Sequence, residues 1–597
     1  MPDGAKTRGH LKIPDGAETR AETEISAPAQ ARTGTITLAL PQISTIRLPQ
    51  LLLGLILMAA LVTRMGTPWT GPISLKQLDT PADQYFDEIY FAKTAQEILN
   101  GDPKAWEFYG HENTHPPLSK LFMAGGMLFF GEDAFGWRFF GALAGVGAVF
   151  FMYLLARKLF NSEVAGLAGA LLLACDGLAF AQSRIATPDT YVLFFMLGCV
   201  YFLVSERFLF SGVFFGAAVA CKWIAALTGI PIVLFLVWLL ITRWRQVRTD
   251  DGPVKSFEVT LPAALAALYA GLVLIIVGFL SRHPDQKPGL FDGLGLLDLA
   301  GWLLTVMAIV VIVGSLISLA SERSAHGSFG FSPQGKVWLE IALIFGAFFI
   351  LVPGFVYFMT YWPFLLNPPS TQAMGEHGFL GLGQVVRQNR LAYDFHSTLS
   401  APHPYASTWD EWPIMARPVY FYAGSNNDRI YALGNPVVFW SALPALAFAL
   451  WQGLAYVRAR IDASGALSVA GRLPPGRAAL LFVVVAYLGF WIPMGLTSRV
   501  VFIYHYLPAL AFGILALAYA VDWLWHRPEP SGRKMAMSFL GLVVLTFAFF
   551  YPHLAAVPVS DWVDDLYYPF DNRFCEAFAG QGSGCDNPFA NQLWDWE

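Results

Sequence analysis

The sequence predicts an all-α polytopic membrane protein. Of its 597 residues, 55% are hydrophobic and only 14% are charged, whereas about 25% of the residues in soluble proteins are charged. Apolar runs of about 18 residues or more recur along the chain, and each is long enough to cross a hydrocarbon layer of about 30 Å as a helix. The net charge of −5 at pH 7 argues weakly against a nucleic-acid partner.

Hydropathy predicts about thirteen spans, within a fold class of about 11–13 transmembrane helices joined by extracytoplasmic loops. The predicted spans are residues 48–64, 134–157, 163–182, 188–205, 208–221, 224–243, 260–281, 299–319, 336–364, 436–457, 477–495, 500–525 and 536–552. Span 208–221 is short, and the two spans between residues 260 and 319 are weakly defined. The apolar stretch 118–131 is shorter than a spanning helix, so it is predicted to be re-entrant or interfacial.

The distribution of Lys and Arg predicts the orientation, because cytoplasmic loops carry an excess of both. With the N-terminus inside, the inner loops are the basic segments 157–163, 243–248, 458–477 and 526–534. The outer segments are then 65–133, 365–435 and 553–597, which are rich in Trp, Tyr, Pro and acidic residues but poor in Lys and Arg. An odd number of spans places the C-terminus outside.

The same pattern divides the chain into parts. These are a disordered cytoplasmic tail at 1–47, an N-terminal transmembrane catalytic module at 48–364 with its first outer loop at 65–133, an outer loop at 365–435, a four-helix-type transmembrane region at 436–552 and an extracytoplasmic tail at 553–597. Cys575 and Cys585 lie in the last tail, where an oxidising environment would permit a disulfide. Cys175, Cys199 and Cys221 lie in apolar runs and are expected to be core residues.

In this topology the polar residues near the membrane gather at its outer side. They are Asp87, Glu88, His115, Lys120, Arg138, Asp176, Arg184, Asp189, Lys222, Arg499, Tyr504, His505 and Tyr506. A charged residue inside a span costs about 2.5–3.5 kcal/mol on insertion scales, so such residues usually serve a function. Taken singly, Arg138, Arg184 or Lys222 could extend to the interface, His505 could be a core histidine, and Asp189 could belong to an N-cap region. Together on one side, they predict a site at the outer interface.

The residues of this cluster suit a reaction on a lipid-linked phosphate. Arg and Lys pair strongly with phosphate oxygens, and a nearby carboxylate can deprotonate an incoming hydroxyl. Outside the cytoplasm an activated donor must arrive on a lipid, and lipid-phosphate sugars meet that need. Asp87 and Glu88 could coordinate a hard divalent cation, but two adjacent carboxylates are weak evidence for a metal site. No metal and no cofactor are therefore expected to be required.

Several motifs carry a resemblance to one family. They are DEIYFAK (87–93), HPPLSK (115–120), QSRIATPDTYVLFF (182–195), GAAVACKWIAAL (216–227), HPYASTWDEWPIMARPVYFY (403–422), GNPVVFW (434–440) and YHYLPAL (504–510). With them the chain resembles the bacterial protein O-mannosyltransferases between about residues 85 and 525. The Asp-Glu and HPP signals are shared by several membrane glycosyltransferases, whereas CKW, WDEWP and YHYLP are more specific.

The resemblance implies a GT-C-type fold in a multi-pass protein of the cell membrane. It implies inverting transfer of mannose from polyprenyl-phosphate-mannose to Ser or Thr hydroxyls of exported proteins at the outer face, as in the dolichyl-phosphate-mannose–protein mannosyltransferases. The lipid donor, the exported polypeptides and the secretion machinery would be the partners. A related transferase that acts on a glycolipid or polysaccharide, or uses another sugar, is the alternative. A transporter would predict midplane charges and inverted repeats, which the sequence lacks.

The resemblance also implies roles for individual residues. Asp87 would be the catalytic base, and Glu88 would position the acceptor or the loop. Donor and phosphate binding would fall to Arg138, Lys222, Arg499 and His505. Acceptor-binding or supporting roles would fall to His115, Arg184, Asp189, Trp409, Glu411 and Trp412. The last three would form either a lid over an acceptor groove or an interfacial aromatic belt.

Overall fold

The structure is a computed structural model. It describes residues 47–66, 78–107, 111–248, 271, 305–307, 309–310, 312, 333–366, 382–399, 403, 405–464, 477–497 and 499–567. The chain divides after Arg47 into two units, and the first of them lies outside the described residues except for Arg47 itself. The predicted cytoplasmic tail, most of the spans 260–281 and 299–319, and the Cys575–Cys585 disulfide also lie outside the described residues.

The described residues of the second unit are almost entirely helical. Its helices are α1 (Leu48–Met65), α2 (Glu88–Leu99), α3 (Leu118–Phe130), α4 (Ala134–Phe160), α5 (Glu163–Ala174), α6 (Gly177–Gln182), α7 (Asp189–Val204), α8 (Phe208–Cys221), α9 (Gly229–Arg248), α10 (Pro333–Gly346), α11 (Val352–Met359), α12 (Trp362–Leu366), α13 (Leu382–Thr398), α14 (Pro436–Ser464), α15 (Arg477–Trp491), α16 (Leu507–Trp525), α17 (Pro530–Leu554) and α18 (Asp561–Tyr567). Two strands, β1 (Val419–Ala423) and β2 (Arg429–Ala432), lie between α13 and α14.

The helices confirm the predicted polytopic fold. Within the described part of the chain, eight helical segments are long and apolar enough to cross a membrane, and α3, α5, α7 and α8 are shorter apolar helices. Each predicted span outside the 260–319 region coincides with one or more of these helices. Most side chains of α16 are buried at the centre of the bundle, whereas α1 and α17 expose apolar side chains such as Leu55 and Leu545.

Some predicted spans are interrupted by polar residues. The span 163–182 divides into α5 and α6, because the Asp176 side chain caps α6 and accepts from the backbone N–H of Ala179 at 2.9 Å. The span 224–243 begins with a 3₁₀ turn at Trp223–Thr228, which leaves Lys222 in an extended conformation at the end of α8. The interruptions therefore occur beside residues of the predicted polar cluster.

The segments predicted to be extracytoplasmic pack against one another. The ring of Tyr85, before α2, lies 5.9 Å from that of Tyr422 on β1. Nη2 of Arg429, on β2, lies 2.6 Å from Oδ2 of Asp564 on α18. The β1–β2 hairpin is antiparallel, with a bulge between Tyr420 and Tyr422, and the sequence did not predict it. The first outer loop, the second outer loop and the region after α17 thus meet at one end of the bundle.

Candidate active site

The fold gives the two adjacent carboxylates different surroundings. Glu88 is fully buried, and Nε and Nη2 of Arg138 donate to its Oε1 and Oε2 at 2.8 and 2.7 Å. The backbone N–H of Ala186 donates to the same Oε1 at 2.8 Å. Glu88 therefore ties the start of α2 to α4 and to the turn before α7, a role that agrees with positioning the first outer loop.

Arg138 requires a correction to the predicted phosphate-binding set. Besides the two bonds to Glu88, Nη1 donates to the carbonyl oxygens of Leu78 and Pro81 at 2.9 and 2.7 Å, and Nη2 donates to that of Asp83 at 3.2 Å. All of its guanidinium N–H groups are thus occupied within the protein, and the side chain is only 1% exposed. Arg138 holds the first outer loop in place and presents no free donor to a phosphate.

The Asp87 carboxylate is not part of the network between Glu88 and Arg138. It precedes α2, but its side chain makes no capping hydrogen bond to that helix. Burial raises the pKa of Asp87 to about 6; Lys222 opposes this change, while Asp189 and Glu112 add to it. A carboxyl with a pKa near 6 is mostly ionised at neutral pH and can still accept a proton, as a general base must.

A cavity of about 430 Å³ lies beside these residues. Its lining is Thr114, His115, Pro116, Val219, Lys222, Trp223, Ile224, Ala226, His396, Met494, Thr497, Arg499, Val501 and His505. The described lining thus combines two cations and three histidines with apolar side chains, and it includes no carboxylate. Asp87 is not itself in the lining, although Lys222 is the cation that acts most strongly on its carboxyl.

Lys222, in the cavity lining, is paired with Asp189 behind it. Nζ of Lys222 lies 2.9 and 3.0 Å from the two carboxylate oxygens of Asp189, the first residue of α7. Nζ also lies 5.2 Å from the centre of the Tyr504 ring. The pair fixes the direction of a flexible lysine side chain, so the structure brings together two residues that the sequence assigned to different roles.

The HPP segment supplies another buried ion-pair network. Oε1 and Oε2 of Glu112 lie 2.8 Å from Nδ1 of His115 and from Nζ of Lys120, respectively. Burial alone would raise the pKa of Glu112, but Lys120 and His115 lower it below its usual value. Burial lowers the pKa of His115 despite the attraction of Glu112. This network anchors His115 at the cavity wall.

His396 is a cavity residue that the sequence did not indicate. It lies on α13, and its Nε2 donates to the carbonyl oxygen of Thr114 at 2.9 Å. Its Nδ1 is therefore free to accept from Nη1 of Arg499, which it contacts. Burial lowers the pKa of Arg499 and, together with His115 and Arg499, that of His396. Among the described residues no carboxylate forms an ion pair with Arg499.

The Trp-rich segment packs against neighbouring parts of the protein. Trp412 is fully buried, donates from Nε1 to Oγ of Ser407 at 2.9 Å and stacks on His505 at 6.3 Å between ring centres. Glu411 accepts from the backbone N–H of Thr408 at 2.7 Å. Trp409 packs against Trp491 at 4.8 Å between ring centres. The segment is a platform that supports His505.

Arg184 is also placed away from the cavity lining. Its side chain is buried, and Nη1 donates to the carbonyl oxygen of Arg64 at the end of α1. Its own carbonyl oxygen accepts from the hydroxyl of Tyr85 at 3.3 Å. Arg184 therefore supports the turn before α7 from behind, two residues from the Ala186 N–H that contacts Glu88.

Two family models match the chain. "Dolichyl-phosphate-mannose-protein mannosyltransferase" covers residues 114–252, and "C-terminal four TMM region of protein-O-mannosyltransferase" covers residues 382–565. Together they span more than half of the chain and include the cavity residues. The chain belongs to the protein O-mannosyltransferase family.

Relatives extend the match over most of the chain. A polyprenol-phosphate-mannose–protein mannosyltransferase of Mycobacterium tuberculosis is 24% identical, with 86% of this chain and 90% of the relative covered. Its counterpart in Mycolicibacterium smegmatis is 23% identical, with coverages of 82% and 89%. The Saccharomyces cerevisiae protein O-mannosyltransferase complex bound to its sugar donor has a similar fold, with a TM-score of 0.57, 15% identity and coverages of 88% and 92%. The predicted GT-C-type fold is confirmed.

In this protein O-mannosyltransferase, geometry groups the predicted residues into two sets. His115, Lys222, Arg499 and His505 line the cavity, with Asp189 paired to Lys222. Glu88, Arg138, Arg184, Trp409, Glu411 and Trp412 hold the surrounding loops. Among the described residues, no group of three or more His, Cys, Asp or Glu side chains is placed to hold a metal ion.

Proposed function

We propose that this glycosyltransferase transfers mannose from a polyprenyl-phosphate-mannose donor to Ser or Thr hydroxyls of exported polypeptides. The observation that carries the proposal is the cavity, which combines Lys222 and Arg499 with apolar walls next to an ionisable Asp87. A phosphate matches the two cations, and the first isoprene units match apolar residues such as Ile224 and Val501.

The geometry suits a single displacement with inversion. Asp87 accepts the proton of the acceptor hydroxyl, whose oxygen then forms a bond to the anomeric carbon of mannose. The bond between that carbon and the phosphate oxygen breaks, and the leaving polyprenyl phosphate keeps the electron pair. Lys222 and Arg499 stabilise the negative charge that develops on the phosphate. Because these cations already supply positive charge, we propose that no divalent cation is needed.

A transfer assay tests this proposal. Purified full-length protein in detergent would receive radiolabelled polyprenyl-phosphate-mannose together with either a Ser/Thr-rich peptide or a glycolipid. Labelled peptide is the expected product, and it should persist in EDTA. Label on the glycolipid alone would favour the alternative acceptor class. Label on neither would overturn the proposed activity, and loss of label in EDTA would overturn the proposal that no cation is required.

We propose further that the site faces away from the cytoplasm and that the N-terminus is cytoplasmic. The positive-inside rule supports this orientation, because α4 ends with the exposed basic residue Arg157. Arg138, near the start of α4 at the site, is buried and paired with Glu88. The contact of Asp564 with Arg429 in the second outer loop supports a position of the region after α17 on the same side as the site. A membrane-impermeant thiol reagent should label a cysteine introduced at Asp83 in intact cells but not one introduced at Arg527.

The activity should depend on pH through Asp87. Since only the ionised carboxyl accepts a proton and its pKa is about 6, kcat/KM should be level above neutral pH. It should fall about tenfold for each pH unit below 6. Initial rates between pH 4.5 and 8 at low donor concentration measure this dependence. A profile that stays flat down to pH 5 would contradict a catalytic role for this carboxyl.

His396 should contribute to donor binding through Arg499. His396→Leu removes both the bond to Thr114 and the acceptor for Arg499, so the guanidinium loses its fixed direction. A hydrogen bond to a charged group contributes about 1.5–3 kcal/mol, so donor KM should rise by about tenfold or more. The value of kcat should fall as well, because Arg499 also stabilises the charge that develops on the phosphate. His526→Leu, which changes a 61% exposed side chain at the far end of α16, is the control. An unchanged donor KM in His396→Leu would contradict this role.

A further inference from the structure

Phe86 has an unusual backbone conformation directly before the proposed base. Its φ angle is +49°, in the left-handed region that non-glycine residues seldom adopt. Such strain persists only where the surroundings hold it, and it often occurs at functional sites. The neighbouring residue Asp87 has an ordinary φ of −69°, so the chain changes direction at Phe86.

Aromatic residues from distant parts of the chain surround the Phe86 ring. The rings of Phe421 and His403 in the second outer loop lie 4.7 and 6.2 Å away between centres. The rings of Phe502 and Tyr504, just before α16, each lie 6.5 Å away. Edge and tilted contacts of this kind add specific packing energy to the burial of the rings. They fix Phe86 from two elements that are not part of the first outer loop.

The chain is therefore held on both sides of Asp87, while the Asp87 carboxyl makes no capping hydrogen bond to α2. On one side Phe86 is fixed by this aromatic cluster, and on the other Glu88 is fixed by Arg138 and the N–H of Ala186. An aspartate before a helix would ordinarily cap it, but this one does not. The change of direction at Phe86 leaves the Asp87 carboxyl available.

We propose that Phe86 is a positioning residue that directs the Asp87 carboxyl toward the acceptor hydroxyl. This proposal rests on the proposed function and adds the residue that sets the direction of the Asp87 carboxyl. Tyr504 connects Phe86 to the cavity, because its ring contacts both the ring of Phe86 and Nζ of Lys222 in the cavity lining. The aromatic cluster thereby couples the placement of the base to the wall that holds the donor phosphate.

Three substitutions separate the ring from the backbone. Phe86→Leu keeps an apolar side chain but loses the aromatic contacts. Phe86→Gly permits a positive φ without strain but supplies no ring to hold it. Phe86→Tyr keeps the side chain and its aromatic ring, so it is the conservative variant. Phe160→Leu, at the end of α4 farthest from Arg138, removes a phenylalanine that is more deeply buried than Phe86 and packs next to Tyr519, so it controls for general loss of packing.

Kinetics give the first readout. Phe86→Leu and Phe86→Gly should each lower kcat by about tenfold to a hundredfold, since small misplacement of a reacting group is costly. Donor KM should stay within about twofold, and Phe86→Tyr and Phe160→Leu should resemble the wild type. Equal kcat in Phe86→Leu and Phe160→Leu would overturn the proposal.

A second readout does not depend on transfer. Dicyclohexylcarbodiimide reacts with protonated carboxyls, so mass spectrometry of Asp87 labelling against pH reports the environment of that carboxyl. In the wild type half-maximal labelling should occur near pH 6, and in Phe86→Leu it should move at least one pH unit lower as the carboxyl meets water. An unchanged midpoint would overturn the proposal even if the wild type transfers no mannose, whereas an inactive wild type with a shifted midpoint would overturn only the proposed function.

Discussion

Asp87→Asn should lower kcat for mannose transfer by about 10²–10⁴-fold, which is the usual contribution of a positioned general base. The amide has nearly the same shape as the carboxyl but cannot accept the proton of the acceptor hydroxyl. The α2 helix should form as before, because the Asp87 side chain does not cap it. Donor binding should also persist, since Lys222 and Arg499 remain. Single-turnover transfer and donor affinity, measured on the same preparation, separate the two effects.

Asp83→Asn is the matched control for this experiment. It makes the same change four residues earlier in the same loop, at an exposed residue whose carbonyl oxygen, and not its carboxylate, accepts from Arg138. Its kcat should stay within about twofold of the wild type. If Asp87→Asn retained a similar rate, the base would have to be another group. Glu112 would be a poor candidate because His115 and Lys120 already occupy its carboxylate.

The sequence predicted the helices well because hydropathy is a local property. A run of apolar residues indicates a span whatever surrounds it, and the boundaries of α1, α7 and α8 agree with prediction within a few residues. The division between α5 and α6 depends on one side chain, Asp176, whose other carboxylate oxygen accepts from the N–H of Asn435 at 3.1 Å. Such a contact between distant residues leaves no local pattern to read.

The cavity residues illustrate the same limit. Lys222, Arg499 and His505 could be found because each is a polar residue beside an apolar run. His396 lies in a polar helix of an outer loop, and its relevance comes from a bond to Thr114, 282 residues earlier in the chain. The β1–β2 hairpin was not predicted for the same reason. Its strands are short, and it supports Phe86 through Phe421, which lies far away in the sequence.

The assignment of Arg138 failed for a different reason. Resemblance indicates that an arginine is required near the carboxylate pair, but it does not indicate which anion that arginine meets. A phosphate and a buried glutamate bind a guanidinium in the same way, because both accept paired hydrogen bonds from it. The structure distinguishes them, since Glu88 and three backbone carbonyls use every N–H group.

Arg138→Gln should therefore affect stability before it affects donor binding. Removing one partner of a buried ion pair costs about 3–5 kcal/mol, because the other charge is left without compensation. Here the side chains of Arg138 and Glu88 are 1% and 0% exposed, and the backbone carbonyls of Leu78, Pro81 and Asp83 also lose their donor. We expect a large decrease in the free energy of unfolding, measured by denaturant titration in detergent.

Arg157→Gln makes the same change at the other end of α4 and provides the comparison. Nε of Arg157 lies 2.6 Å from Oε1 of Glu163, but the two side chains are 51% and 40% exposed, and exposed pairs contribute about 0–1 kcal/mol. Its stability should be close to that of the wild type. A phosphate-binding Arg138 would give the opposite result in the first variant, namely normal stability with a raised donor KM. Measuring both quantities on both variants thus decides between a residue that binds the donor and one that holds the loop carrying Asp87.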